Sequence, residues 1–308
     1  MGVLAGGSSG ERSVSLRSGR AVQKALKHAG FNTLWLDPAR GGLRIESLAR
    51  IDVAFLALHG KGGEDGSLQG FLEDRGIPYI GSAPKPSLQA FDKGLSKRVF
   101  ERFKVPTAAW TVLKGDSLEK KAREFPAPFF IKPIREGSSI GVFEIRDASR
   151  QMARIRSAFR RYGALLAERK IEGREFTVGI LGNRALPVIE LKPKRTFYDY
   201  KAKYTKGMTE YRVPAPVSAA VRRRLQRVAL KAHRALGLRD FSRVDMMADS
   251  KGHLYVLEAN SIPGFTELSL LPKAARAAGC SFEELCFTLV KWAYERSLRS
   301  GVGLKNRI

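Results

Sequence analysis

The sequence predicts an α/β fold in three units, and three observations carry that expectation. Strand-like and helix-like segments alternate over the first 86 residues. Short apolar strands surround a Gly/Ser-rich loop in the middle of the chain, and residues 242–264 read as two strands joined by a tight turn. Alternation of strands with helix-length segments implies a parallel sheet with helical crossovers. A chain of 308 residues with 44% hydrophobic side chains can bury a core in each of two or three units.

Taken in order, GVLAGG is a strand running into glycines, residues 13–29 form a helix, and 32–36 and 52–58 are strands. The loop HGKGGEDG follows, then a short helix and a strand ending at Ile80-Gly81. Two prolines in SAPKP mark a boundary near residue 86. Beyond it a helix is expected over 91–102, then strands at 110–113 and 129–132, and a basic helix. ALLAERKI is a strand ending in a polar hinge that opens the third unit. The expected units are therefore 1–86, 87–172 and 173–308.

Composition excludes several classes of function. The longest apolar runs, such as IDVAFLAL, are strand-sized and fall well short of the roughly 20 residues of a membrane-spanning helix. The first residues lack both a basic lead and an apolar run of signal-peptide length, so the expected location is the cytoplasm. Cys280 and Cys286 show neither metal-ligand spacing nor a disulfide framework, and read as buried or partly buried thiols. The 55 Lys and Arg outnumber 30 Asp and Glu, and the resulting +25 raises the question of a nucleic-acid partner. The densest basic stretches, 150–161 and 222–239, have apolar residues at helical spacing, and no stacking platform accompanies them. Their charges are expected to form solvated helix faces, with no specific nucleic acid bound.

Two stretches carry the chemistry. In FFIKPIREGSSIGVF a strand delivers Lys132 into a loop of Gly137, Ser138, Ser139 and Gly141, whose amides and hydroxyls suit phosphate. The pattern is not a Walker loop, and a plain Gly/Ser turn between strands is the alternative. In SRVDMMADSKGHLYVLEANSIPG, a two-residue loop of Ser250 and Lys251 would set Asp249 opposite Gly252 and Asp245 opposite Val256. Arg243, Asp245, Glu258 and Asn260 would then share one face of the ribbon. Two carboxylates and an amide oxygen suit Mg²⁺, whose other ligands are waters and nucleotide phosphates. Lys93, Lys132 and Lys203 could complete a phosphate clamp, the equipment that phosphoryl transfer requires. The Gly-rich loops HGKGGEDG and GGSSGERSVS follow strands, where open α/β sheets bind ligands.

In order along the chain, GGSSGERSVSL, ALHGKGGEDGSLQG, DKGLSK, IKPIREGSSIGV, EFTVGILG, FYDYKAKY, SRVDMMAD and LEANSIPGFTELSLLP resemble the D-alanine–D-alanine ligase family. The resemblance implies a three-domain ATP-grasp ligase with an N-terminal Rossmann-like parallel-sheet domain and ATP held between the other two. It implies two Mg²⁺ ions, with Mn²⁺ as a substitute, a homodimer, and a dipeptide product for peptidoglycan precursors. By motif match, Glu168, Arg169, Ile171 and Glu175 would hold adenine and ribose, and Lys93, Lys132 and Lys203 the phosphates. Asp245, Glu258 and Asn260 would hold the metals. The first D-alanine would meet Glu11, Val14 and His59, and the second Arg243, Gly264, Ser269 and Leu270. A mobile loop over 198–212 would be locked by Glu11, Ser138 and Tyr204. Ser242, Ile262, Arg169 and Lys170 depart from the residues common in the family.

In the mechanism so implied, the first D-alanine carboxylate takes the γ-phosphoryl group of ATP and the amine of the second attacks the acyl phosphate. Arg243 and the Gly264 amide would stabilise the oxyanion. His59 would bond Glu11 or position substrate. Rival readings are a ligase of the same fold with D-lactate or D-serine as acceptor, and a basic nucleic-acid-binding protein with an inactive ligase core. Tyr204 speaks against lactate, since the resemblance associates phenylalanine there with hydroxy acids. Intact Lys132, Asp245, Glu258 and Asn260 speak against loss of activity.

Overall fold

The structure, a computed structural model, describes residues 1–194 and 207–300. Strands β1 (Gly2–Leu4), β2 (Leu34–Leu36) and β3 (Ala54–Leu56) form a parallel sheet in the order β2-β1-β3. All residues of β1 and β3 are buried, which explains their unbroken apolar sequence. The helix Arg12–His28 makes the crossover from β1 to β2 and buries Val14, Val22, Ala25 and Leu26. The strand expected to end at Ile80 is reduced to one bridge between Ala54 and Tyr79. Pro78 has no N–H with which to extend that ladder.

The proline-containing segment at the expected boundary near residue 86 is helical. Pro84 opens the helix Pro84–Phe91, where its missing N–H leaves no bond unmade. The single helix expected over 91–102 is broken at Asp92, whose backbone is extended (φ −80°, ψ 105°). Asp92 Oδ1 accepts from Leu95 N at 3.0 Å and so caps a second helix, Lys93–Arg102. The break places Lys93 at the head of that helix.

Two antiparallel sheets follow. Strands β4 (Trp110–Leu113), β5 (Phe129–Pro133), β6 (Phe143–Ile145) and β7 (Leu165–Arg169) are ordered β4-β7-β5-β6. Phe129, Ile131 and Leu165 pack with Ile155 in one core, while Phe130, Lys132 and Glu168 take the other face. The third sheet contains β8 (Gly173–Leu181), β9 (Arg184–Ala185), β10 (Ile189–Pro193), β11 (Thr209–Arg212), β12 (Phe241–Asp249) and β13 (Leu254–Asn260). Its order is β11-β10-β8-β12-β13, with β9 beside β8. The helix Ala219–Ala235 covers one face of it through Leu225, Ala229 and Ala232. Thr209–Arg212, expected at the end of the mobile loop, is a strand paired with β10.

The β12–β13 register differs from the expected one. Asp245 faces Glu258 and Arg243 faces Asn260, whereas Met246 faces Val256. Leu257 is thus an extra residue, a β-bulge. The turn is also longer than two residues, because Asp249 N bonds His253 O at 3.0 Å and Gly252 takes φ +80°. These shifts have a functional consequence. Leu254 and Val256 point into the core under the helix Ala219–Ala235, and without the bulge Glu258 and Asn260 would follow them. The extra residue turns both to the open face.

The N-terminal sheet is joined to the C-terminal elements by a shared core. Val22, Leu26 and Phe55 pack with Phe265, Leu271, Leu285 and Leu289, and the Phe55 and Phe265 rings lie 5.3 Å apart edge to face. Arg296 holds Asp240 with bonds of 2.8 and 2.9 Å and reaches Tyr79 O at 3.0 Å. The basic runs form the helices Met152–Tyr162 and Ala219–Ala235, each with one buried stripe, as the spacing predicts. Cys286 is buried and Cys280 half-buried, and both are free thiols. Among the described residues no helix is long and apolar enough to cross a membrane.

Candidate active site

The second and third sheets face each other across a cavity of about 360 Å³. Phe130, Lys132, Glu168, Arg169 and Ile171 line one side of it, and Glu175, Asp245, Met247, Leu257 and Glu258 the other. A second cavity of about 630 Å³ lies against the N-terminal unit. Its walls include Glu11, Val14, His59, Ser138, Arg243, Asn260, Gly264, Ser269 and Leu270. Lys93, Glu136 and Glu258 line both cavities, so the two meet at one ammonium and two carboxylates. Every site residue expected from the sequence lines one or both, except Lys203 and Tyr204, which lie outside the described residues.

The lysine-bearing wall of the first cavity is built on a buried ion triad. Glu168, 2% exposed on β7, receives the ammoniums of both Lys97 and Lys132. Lys97, 1% exposed, also bonds Thr107 Oγ1 at 2.6 Å and Val256 O at 3.1 Å. Burial alone would raise the Glu168 carboxyl, but Lys132 and Lys97 outweigh it and hold its pKa below the ordinary value. Burial opposes the charge of Lys132, while Glu168 more than compensates and raises it. Lys132 is therefore a fixed cation. Lys93 donates to Glu136 O at 2.6 Å and stands 3.8 Å from Glu258. The Lys170 side chain turns away to Glu144 at 3.2 Å.

At the expected metal site, Asp245 is held from two directions. Arg243 Nε and Nη2 donate to its two oxygens at 2.9 and 2.8 Å, and Thr177 Oγ1 donates to Oδ1 at 2.5 Å. Asn260 Oδ1 accepts from Ile262 N at 3.1 Å. The donors Asp245, Glu258 and Asn260 are oxygen-only, which fits a hard divalent cation. Among the described residues no three His, Cys, Asp or Glu side chains form a metal cage. Such a cation would need further oxygens from a bound phosphate, as Mg²⁺ in nucleotide sites does.

The second cavity is acidic on its N-terminal wall. Glu11 is 8% exposed and accepts a hydrogen bond from Ser138 Oγ of the Gly/Ser loop. A Cβ at Gly137 would sit 2.4 Å from Glu11 Oε2, so a larger residue there would displace that carboxylate. Glu64, also buried, accepts from Gly60 N at 2.8 Å. Burial and the nearby Glu11 carboxylate raise the Glu64 pKa well above the ordinary value. His59 does not bond Glu11 in the way expected. Its Nδ1–H donates to Ile262 O at 3.0 Å, and Nε2 accepts from Ser18 Oγ at 3.1 Å. Ser18 Oγ in turn accepts from Phe265 N at 3.1 Å. Burial pushes the His59 pKa down to about 4, so the neutral ring ties the Gly-rich loop to the segment after β13.

Sequence reasoning missed Lys97, Thr177 and Glu64. Thr177 had a signal: it is the polar residue in FTVGIL, and it pairs with Asp245 on β12. Glu64 stood inside a loop already singled out, but nothing in its spacing announced its burial. Lys97 follows Lys93 by one helical turn, a spacing that ordinarily marks a solvated face.

Two β-sheets closing on a nucleotide-sized cleft, with lysines on one wall and a carboxylate pair on the other, define the ATP-grasp fold. The family model for the D-Ala D-Ala ligase C-terminus matches residues 92–291, and that for the N-terminus residues 35–82. The D-alanine–D-alanine ligase of Geotalea uraniireducens is 44% identical over 286 residues, 92% of each chain. That of Citrifermentans bemidjiense is 45% identical over 291 residues, 94% of this chain and 95% of its own. A crystal structure of the Bacillus anthracis D-alanine–D-alanine ligase complexed with ATP superposes with a TM-score of 0.86 at 32% identity, covering 97% of this chain and 98% of that one. The chain belongs to the D-alanine–D-alanine ligase family, ATP-dependent enzymes that require a divalent metal.

Proposed function

We propose that the protein joins two D-alanine molecules into D-alanyl-D-alanine, through a D-alanyl phosphate, at the expense of ATP. The observation that carries this reading is the meeting of the two cavities at Lys93, Glu136 and Glu258. ATP in the cleft between the sheets would extend its γ-phosphate towards a carboxylate in the second cavity. Glu11 would bind the first D-alanine by its ammonium, and Lys93 and Lys132, with Lys203, would hold phosphate oxygens. Two Mg²⁺ ions, or Mn²⁺, held by Asp245, Glu258 and Asn260, would neutralise charge on the transferring phosphoryl group.

The donor carboxylate oxygen attacks the γ-phosphorus, ADP leaves, and the amine of the second D-alanine attacks the acyl carbon. Arg243 and the Gly264 N–H stabilise the resulting oxyanion in a water-poor site. The attack forms the C–N bond; collapse then re-forms the carbonyl, breaks the C–O bond to phosphate and, with loss of the surplus amine proton, leaves the peptide bond. Tyr204 anchors the closing loop to Glu11 and Ser138. The enzyme works in the cytoplasm as a homodimer and supplies the cell-wall dipeptide. The test is incubation with ATP, Mg²⁺ and D-alanine: one dipeptide is expected per ADP formed. Hydrolysis of ATP without dipeptide refutes the reading.

A further inference from the structure

The second cavity is electrically lopsided. Its N-terminal wall presents Glu11 and Glu64 with Arg17 on the same helix as Val14, while the wall built from β12 and the helix Leu270–Ala277 presents Arg243, Ser269 and Lys273 and, among the described residues, no carboxylate. Lys273 had no role in the site expected from the sequence. It sits one turn after Ser269, donating its N–H to Ser269 O at 2.9 Å, so both side chains lie on the helix face that opens on the cavity. Its ammonium rests 4.5 Å from the centroid of the Tyr211 ring on β11, a cation–π contact that aims it along the cavity wall. Arg243 is matched by Asp245 and Lys93 lies near Glu258, but Lys273 has no ion-pair partner among the described residues. A half-buried ammonium on a cavity wall, with no carboxylate paired to it among the described residues, is complementary to an anionic group of the ligand. Burial also lowers its pKa, and a bound anion would reverse that shift.

We propose that Lys273 binds the carboxylate of the acceptor amino acid and so selects an acceptor that bears one. The inference rests on the proposed ligation of two amino acids. Glu11 on the N-terminal wall takes the donor's ammonium, the donor carboxylate points to the Lys93 junction, and the acceptor carboxylate is left for the Lys273 wall. Ser269 would share that carboxylate, and the Tyr211 ring would limit how far the ammonium swings.

The test compares wild type with Lys273→Met, which keeps the stem over Tyr211, and with Lys273→Arg, which keeps the charge. Loss of one charge-assisted bond should raise the acceptor KM for D-alanine about 10- to 100-fold, with the donor KM unchanged. Lys273→Arg should recover most of the loss. Hydroxylamine, an acceptor without a carboxylate, should trap the acyl phosphate equally well in wild type and Lys273→Met. An unchanged acceptor KM in Lys273→Met, or a parallel fall in hydroxylamine trapping, overturns the Lys273 assignment while wild-type dipeptide synthesis stands. Absence of dipeptide with wild type overturns the functional reading beneath it.

Discussion

Replacing Glu258 by glutamine should lower kcat about 10³-fold, equivalent to about 4 kcal/mol of transition-state stabilisation, with the fold unchanged. Glu258 is the carboxylate common to both cavities, opposite Asp245 and 3.8 Å from the Lys93 ammonium. Its side chain is 34% exposed and outside the hydrophobic cores, so an isosteric amide disturbs little packing. The change instead removes a negative charge from the point where phosphoryl charge must be balanced. Steady-state kinetics alongside circular dichroism checks this, with Mn²⁺ binding in the presence of ADP as an independent readout. Wild-type turnover in the variant would contradict the role given to Glu258.

Removing the Glu168 carboxylate should produce the largest loss of stability. Glu168→Ala leaves Lys97 and Lys132 without their shared anion, and Lys97 is 1% exposed, so water cannot replace the lost partner. Breaking a buried pair in this way costs about 3–5 kcal/mol. The pH dependence follows from the depressed Glu168 pKa. The unfolded chain takes up the proton first, at its ordinary carboxyl pKa, and the folded chain only at lower pH. The Glu168 contribution is therefore complete above that ordinary value and is lost as pH falls through the folded one. Urea unfolding of wild type and variant at neutral pH and again near pH 3 should show the difference shrinking under acid. A variant within about 0.5 kcal/mol of wild type at neutral pH would contradict this account.

The fold class and the outline of the site were legible because local patterns carry them. Strands, crossovers and glycine loops follow from short-range chemistry, and the motif order links distant segments. What was not legible depends on pairing. Arg243, Asp245, Glu258 and Asn260 were grouped on one face through a register that the structure replaces; the grouping survives because a bulge at Leu257 restores the parity that the longer turn removes. The bulge has no distinctive residue that forces it, whereas the longer turn has one in Gly252, whose positive φ suits a three-residue loop. The break at Asp92 is a capping event within a run that reads as one helix. Lys97 and Glu64 look like surface charges in sequence and become buried only through contacts made from far along the chain, Lys97 with Glu168 and Val256. Lys273 was passed over for the same reason: its orientation depends on Tyr211, sixty-two positions earlier, where β11 pairs into the third sheet.

The central claim is that the protein activates a D-alanine carboxylate by phosphorylation before the peptide bond forms. It is tested most directly with D-alanine carrying ¹⁸O in both carboxyl oxygens. In the proposed sequence one carboxyl oxygen becomes the bridge to phosphorus and departs with phosphate when the amine attacks. Each phosphate released should therefore contain one ¹⁸O, and each dipeptide should retain one in its peptide carbonyl. Unlabelled phosphate formed together with dipeptide would contradict the acyl phosphate, and label-free ATP hydrolysis without dipeptide would contradict the assignment of this site to ligation.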